Sequence, residues 1–148
     1  MTTLVFIDDE KTPLEYYQRA LRHSGFDVLA CLSPDDAFSC LDRLAAPPAV
    51  LVLDVMMPGG RRYPDLETTA YGLKTGVLLY RDLRPRYPQA PIIVLTNVSE
   101  QSETWKEFPS DPNLKVVQKL EFPPYEFTEL VQALVEADPA ELHSGGAT

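Results

Sequence analysis

Two apolar runs without a polar interruption, AVLVL at residues 49–53 and PIIVL at residues 91–95, constrain the fold of this chain more than any other feature. A strand of this kind is buried on both faces, as in the middle of a parallel sheet whose two sides are covered by helices. Shorter strand patterns, TLVFI, FDVLACLS and LKVVQK, alternate with helical patterns along the rest of the chain. The sequence therefore predicts five strand–helix units.

Alternating strands and helices with short connections favour a doubly wound sheet, because right-handed crossovers place helices on both sides of it. The predicted fold class is α/β with a five-stranded parallel sheet. A chain of 148 residues is long enough for one such domain. We expect the domain over residues 1–137 and a flexible tail over residues 138–148.

A strong acidic balance limits the partners of this domain. The formal net charge of -9 and the isoelectric point near 4.6 argue against binding of nucleic acid or an anionic membrane through the general field of the protein. No apolar run approaches the ~18 residues of a membrane span. The segment MTTLVFIDDE also lacks the features of a signal peptide. We therefore expect a cytoplasmic protein without nucleic-acid or membrane partners.

Polar side chains follow four of the predicted strands and would share one edge of the sheet, where doubly wound proteins bind their ligands. That edge collects Asp8, Asp9, Asp54, Thr96 and Lys119. Each residue alone could be a helix cap, an ordinary strand residue or a solvated strand end. Together, the crowded carboxylates favour Mg²⁺, which prefers oxygen ligands, and the lysine and hydroxyl suit a phosphoryl group. The sequence therefore predicts a magnesium-dependent acceptor site for phosphate.

The two cysteines, Cys31 and Cys40, predict no site of their own. Their spacing is not that of zinc ligands, and two cysteines in a chain of this length are too few for a disulfide framework. We expect reduced, half-buried thiols.

Four motifs carry a resemblance to a known family. VFIDDE holds the paired acids, LVLDVMMPGG the phosphoacceptor loop, IIVLT the strand with the hydroxyl, and VVQK the strand with the lysine. From about residue 3 to about residue 137, the sequence resembles the receiver domain of two-component response regulators. The resemblance implies a flavodoxin-like fold with strand order 2-1-3-4-5.

The resemblance also implies roles at the acidic end of the site. Asp54 would be the phosphoacceptor, taking a phosphoryl group from a phosphohistidine on a histidine kinase or phosphotransfer protein. Asp9 would bind Mg²⁺ directly and Asp8 largely through metal-bound water. Asp54 and the main-chain carbonyl of Met56 would supply the remaining protein ligands.

Two residues would act on the phosphorylated state. Thr96 would donate its hydroxyl to a phosphoryl oxygen, while Lys119 would pair with the phosphate and with Asp54. In family members this stabilises an active conformation of the face built from the fourth helix, the fifth strand and the fifth helix. We expect a stand-alone regulator that signals through a downstream protein, because no output module follows the fifth helix. A phosphorylation-linked dimer and a fragment of a longer regulator are open alternatives.

The connection from Asp54 to Thr96 is longer than receivers usually have, which places a lengthened loop at about residues 60–75. Such a loop would lie beside the phosphorylation site. One interpretation is a tolerated surface insertion. The other is that Arg61 and Arg62 stand at the mouth of the acidic pocket and help a phosphodonor or kinase to dock.

Other positions also depart from the family pattern. Leu120 follows Lys119 where a cis-proline is common, so the geometry of the Lys119–Leu120 bond is open. Val116 replaces the usual switch aromatic, and Asn97 replaces a small residue. These departures put the usual output mechanism in doubt.

Two pairs of residues bear on output and on the lifetime of the phosphate. Trp105 and Phe108, in the helical pattern SEQSETWKEF, could replace the lost signalling surface or pack in the core. Met56 and Val98 offer no acid or amide to position an attacking water. We therefore expect slow self-dephosphorylation at most.

Two other function classes stay open. One is a receiver-like interaction module that works without phosphate, suggested by Val116, Asn97 and Leu120. The other is a metal-dependent phosphohydrolase with Asp54 as its nucleophile, although such enzymes place a second acid where this chain has Met56. The favoured interpretation is a phosphoacceptor signalling domain and not an enzyme.

Overall fold

Five strands and five helices alternate along residues 2–137, which are the residues that the computed structural model describes. They are β1 (Thr3–Ile7), α1 (Lys11–His23), β2 (Asp27–Cys31), α2 (Pro34–Arg43), β3 (Val50–Leu53), α3 (Thr75–Arg86), β4 (Ile92–Thr96), α4 (Glu103–Lys106), β5 (Leu114–Gln118) and α5 (Pro124–Glu136). The predicted tail, 138–148, lies outside the described residues. No helix within residues 2–137 is long and apolar enough to cross a membrane.

All five strands are parallel, and their order in the sheet is β2-β1-β3-β4-β5. The register aligns the carboxyl ends of the strands: Ile7 pairs with both Cys31 and Leu53, and Thr96 pairs with Gln118. Residues that follow these strands therefore meet at one edge of the sheet. The predicted fold class and strand order are confirmed.

The sheet separates two hydrophobic cores, because successive strand side chains point to opposite faces. On β1, Val5 and Ile7 belong to the core under α2 and α3, while Leu4 and Phe6 belong to the core under α1 and α5. All residues of β3 and β4 are buried. The uninterrupted apolar pattern of these two strands is thus explained by cover on both faces.

The connection between β3 and α3, residues 54–74, contains turns but no helix or strand. Its base is closed at Met57, whose amide donates to the Gly72 carbonyl at 3.0 Å and whose carbonyl accepts from the Thr75 hydroxyl. Ala70, Tyr71 and Gly72 have φ values of 51°, 57° and 86° in succession. Only glycine adopts this left-handed region without strain, so two of the three residues are held there by their surroundings.

The fourth helix is shorter than the pattern SEQSETWKEF predicts. It has only four residues, Glu103–Lys106, and begins where the Ser102 hydroxyl accepts a hydrogen bond from the Trp105 amide. Phe108 lies beyond its end and packs edge-on against Tyr80 of α3, with ring centroids 5.9 Å apart. Phe108 thus extends the core, while the partly buried Trp105 lines a shallow depression beside β5.

Candidate functional site

Three carboxylates meet at the carboxyl edge of the sheet. Asp8 and Asp9 follow β1 and Asp54 follows β3, and one oxygen from each lies within 4.8 Å of the others. Two backbone hydrogen bonds continue the sheet past the strands and fix these positions: the Asp8 amide donates to the Cys31 carbonyl at 3.0 Å, and the Asp54 amide donates to the Ile7 carbonyl at 2.9 Å. Asp8 and Asp54 are buried, whereas Asp9 is exposed.

A buried lysine lies among these acids. The Lys119 ammonium is 2.8 Å from an Asp8 oxygen, 3.2 Å from an Asp54 oxygen and 3.6 Å from a Glu10 oxygen. Only 6% of Lys119 is exposed, and Asp8 and Asp54 are buried too, so these two ion pairs are little screened by solvent. The strand ends that the sequence predicts to converge therefore do so for Asp8, Asp9, Asp54 and Lys119.

The electrostatics of this cluster favour an additional cation. Burial, and next the charge of Asp54, raise the pKa of Asp8 to about 7, although the hydrogen bond from Lys119 opposes the shift. The same two causes raise the pKa of Asp9. Burial alone would lower the pKa of Lys119, but Asp54, Asp8 and Glu10 outweigh it and hold that pKa above its usual range. One ammonium therefore does not neutralise the cluster, and its all-carboxylate donor set fits Mg²⁺.

Thr96 reaches the same edge as the last residue of β4, in register with Gln118 of β5. It is fully buried, and its Oγ1 accepts a hydrogen bond from the Val98 amide at 3.1 Å, which leaves the hydroxyl hydrogen for another acceptor. Asn97 is exposed. Whether Asn97 approaches a phosphoryl group on Asp54 therefore stays a prediction. The role of the Met56 carbonyl as a metal ligand stays a prediction.

No peptide bond within residues 2–137 is cis. Lys119–Glu121 form one turn of 3-10 helix. The Lys119–Leu120 peptide bond, whose geometry the sequence left open, is therefore trans. The Tyr17 hydroxyl lies 2.6 Å from the Lys119 carbonyl and 2.7 Å from the Phe122 carbonyl. Tyr17 therefore ties both ends of this turn to α1.

Sequence reasoning missed Tyr17 and also Gly76, and the two differ in what could have revealed them. Tyr17 falls at helical spacing with Leu14 and Leu21, which indicates burial but not the partner of its hydroxyl. A Cβ at Gly76 would overlap the Asp54 carbonyl oxygen and stand 2.7 Å from the Val55 Cα. Gly76 could have been noticed from the sequence, because glycine has a low helix propensity and is unexpected in the first turn of a helix.

Arg61 and Arg62 engage the neighbouring helices. The Arg62 guanidinium lies 3.8 Å from the centre of the Phe38 ring on α2 and 3.7 Å from an Asp82 oxygen on α3. The Arg61 amide donates to an Asp35 oxygen at 2.8 Å. These contacts point to α2 and α3 and not to the acidic cluster. They favour the first interpretation of the loop, an insertion packed on the surface, for Arg62 at least.

Comparison with solved structures identifies the fold. The BeF3-activated DrrB receiver domain is 26% identical over 93% of this chain and 99% of that chain, with a TM-score of 0.69. A response regulator receiver domain protein from Clostridium thermocellum is 18% identical over 91% and 94%, with a TM-score of 0.66. The receiver domain of Francisella response regulator 1452 is 21% identical over 92% and 98%, with a TM-score of 0.65. No protein-family model and no curated protein matches the sequence.

These likenesses extend over nearly the whole of each chain. The chain therefore has the receiver-domain fold, and the resemblance carried by the four sequence motifs is confirmed.

Proposed function

We propose that this protein is a response regulator receiver that accepts a phosphoryl group on Asp54 from a histidine kinase or phosphotransfer protein and signals through a partner protein. The observation that carries the proposal is the position of the Lys119 ammonium, 2.8 Å from Asp8 and 3.2 Å from Asp54 on the edge that also holds Asp9. The proposed nucleophile, its counter-charge and the proposed metal ligands are thus close neighbours.

The proposed reaction uses one carboxylate oxygen of Asp54. That oxygen attacks phosphorus, a P–O bond forms, the P–N bond of the phosphohistidine breaks, and the imidazole leaves with the electron pair and takes a proton. One Asp54 oxygen accepts the Val55 amide at 2.7 Å and the other faces Lys119, so the carboxylate is oriented on both sides. Such orientation lowers the barrier to an in-line transfer.

Mg²⁺ would be held by Asp9 and Asp54, by Asp8 through water, and by the Met56 carbonyl, as the resemblance implies. When bound, it supplies charge neutralisation for the incoming phosphoryl oxygens. Lys119 would remain beside Asp54 as the protein's own cation, and the buried Thr96 hydroxyl would donate to the phosphoryl group from the end of β4. Binding, orientation and neutralisation are all that these side chains need to provide.

The output of this receiver would differ from the usual pattern. Val116, the residue in place of the switch aromatic, is only partly buried, and α4 has four residues. A partner that recognises the active conformation of the α4–β5–α5 face would therefore contact a smaller surface than a long fourth helix offers. The stand-alone arrangement stays a prediction.

The test is to incubate the protein with Mg²⁺ and a small phosphodonor and to measure its intact mass. We expect one added phosphoryl group, none in Asp54→Asn, and none when EDTA removes the metal. Asp27→Asn is the matched control, because Asp27 is an exposed aspartate at the opposite end of the β2 strand. This variant should be phosphorylated like the parent protein.

Other outcomes separate the alternatives. No mass increase with any donor, kinase or phosphotransfer protein would favour an interaction module that works without phosphate. Continuous release of phosphate from small phosphate esters would favour a phosphohydrolase. Loss of the added group within seconds would contradict slow self-dephosphorylation, which is expected because Met56 and Val98 carry no group that activates water.

A further inference from the structure

A second cluster of metal-ligating side chains lies outside the acidic site. Cys31 is the last residue of β2, and Asp36 and Cys40 lie one turn apart on α2. The two Sγ atoms and one Asp36 oxygen lie within 4.8 Å of one another. Both thiols are free. The spacing of the two cysteines gave no sign of this cluster, because a strand end and a helix face are brought together only by the fold.

The surroundings of the cluster orient its ligands. Cys31 is buried, with 1% of its surface exposed, and Cys40 is partly buried. Asp36 is exposed and lies on the solvent side of the cluster. The Leu32 amide donates to Asp36 Oδ2 at 3.3 Å and so fixes the carboxylate. An Arg43 guanidinium nitrogen donates to the Cys40 sulfur at 3.7 Å and so orients it.

We propose that Cys31, Asp36 and Cys40 form a binding site for a thiophilic divalent cation of the Zn²⁺ class, with water completing a tetrahedral shell. Two thiolates and one carboxylate are a zinc-type donor set, and solvent reaches the cluster at the exposed Asp36, where the water would bind. Mg²⁺ would not compete, since it prefers oxygen ligands alone. The chain would thus hold two cation sites of different chemistry on neighbouring strand ends.

Binding at this site exchanges protons for the metal. Two S–H bonds break, two metal–sulfur bonds form, and two protons pass to the solvent for each cation bound. Without metal Cys31 stays protonated, because burial raises the pKa of its thiol well above the usual range and the Cys40 thiol adds to the shift. The cation supplies the charge that makes both thiolates stable.

The bound cation would join two elements that flank the acidic site. It would link the end of β2 to the first turns of α2, and the Cys31 carbonyl already accepts the Asp8 amide at 3.0 Å. The expected consequence is a higher melting temperature in the presence of the cation. The inference does not depend on the proposed phosphorylation of Asp54.

The test is a titration of the reduced, metal-free full chain with Cd²⁺ in excess Mg²⁺, followed by ultraviolet absorption of thiolate-to-metal charge transfer. We expect saturation at one equivalent, release of two protons, and displacement of Cd²⁺ by Zn²⁺. Cys40→Ser should weaken binding roughly tenfold or more, because one of two thiolates is lost. Cys40 is chosen over the buried Cys31 so that the variant folds, which circular dichroism checks.

Two further variants locate the site. Asp36→Asn should weaken Cd²⁺ binding, and Asp54→Asn should leave the charge-transfer band unchanged. The inference is overturned if no band forms at millimolar Cd²⁺, if Cys40→Ser binds as tightly as the parent, or if Asp54→Asn removes the band.

Discussion

At the scale of single residues, the candidate site depends on one ammonium. Lys119 lies between two buried carboxylates, and its loss would leave Asp8 and Asp54 facing each other without a cation. Removing one partner of a buried ion pair costs about 3 kcal/mol or more. We therefore expect Lys119→Ala to lower the free energy of unfolding by about that amount in EDTA, and by less with Mg²⁺.

Urea denaturation in EDTA and in Mg²⁺ measures this difference. Lys115→Ala is the matched control, because Lys115 is an exposed lysine on β5, the strand that leads into the turn with Lys119. An equal loss of stability in the two variants, or a loss that Mg²⁺ does not reduce, would contradict the role given to Lys119.

A second residue-scale prediction concerns Tyr17, which positions the turn that carries Lys119. Tyr17→Phe removes the one hydroxyl hydrogen that the Lys119 and Phe122 carbonyls share, while the ring stays packed edge-on against Phe127. The expected loss of stability is about 1 kcal/mol. We also expect slower phosphorylation of Asp54, because its counter-charge is held less firmly.

The comparison for this variant is Tyr16→Phe on the same helix, since the Tyr16 side chain is 65% exposed. Intact-mass time courses with a small phosphodonor give the rates. Equal rates for the two variants and the parent protein would reduce Tyr17 to a packing residue.

At the scale of elements, α3 is seated on the loop that follows β3. Gly76 lies in the first turn of α3, where its amide donates to the Val55 carbonyl at 2.9 Å. A methyl group there would overlap the Asp54 carbonyl, and neither backbone can yield without moving the other. We expect Gly76→Ala to cost about 2 kcal/mol or more of unfolding free energy and to slow phosphorylation of Asp54.

Gly25→Ala separates crowding from a general effect of replacing glycine. Gly25 has φ of 97° but nothing within 4 Å of an added Cβ, so the expected cost is only the strain of the left-handed region, about 1 kcal/mol. Thermal unfolding and phosphorylation rates test both variants. A Gly76→Ala protein that keeps the parent rate would show that α3 can shift without disturbing Asp54.

The sequence predicts some of these elements better than others. β3 and β4 were predictable because a strand buried on both faces has an uninterrupted apolar sequence. In a parallel sheet the ends of these strands lie at the ligand-binding edge, so the positions of Asp54 and Thr96 were predictable as well. The length of α4 was not predictable, because a polar helical pattern does not indicate how much of the helix is stabilised by packing against the rest of the protein. Long-range pairs such as Cys31 with Cys40 depend on helix placement, which no local spacing encodes.

At the scale of the whole molecule, the acidic site ties stability to pH and to Mg²⁺. Asp8 has a pKa of about 7 in the folded chain against an ordinary value of 3.8, so the folded state keeps a proton that the unfolded state has lost between these values. Its contribution to stability is complete below about pH 4 and is lost as the pH rises towards 7.

Metal-free protein should therefore be less stable at about pH 8 than at about pH 5, with Asp8 accounting for on the order of 2 kcal/mol. Asp8→Asn should remove most of this difference, because the amide mimics the protonated acid. Mg²⁺ at about pH 8 should stabilise the parent protein more than the variant. Unfolding curves with and without EDTA measure all three effects, and a flat profile for the parent would contradict them.

The closure of the β3–α3 connection at Met57 has a mechanical consequence. Two of the hydrogen bonds that close the connection end on this one residue, three positions after Asp54. The segment beyond it bears exposed Leu66, Tyr71 and Leu73. Because Arg62 also contacts Phe38 on α2 and Asp82 on α3, the segment is fastened to both neighbouring helices as well as at Met57, so it presents these three side chains to a partner on a braced surface.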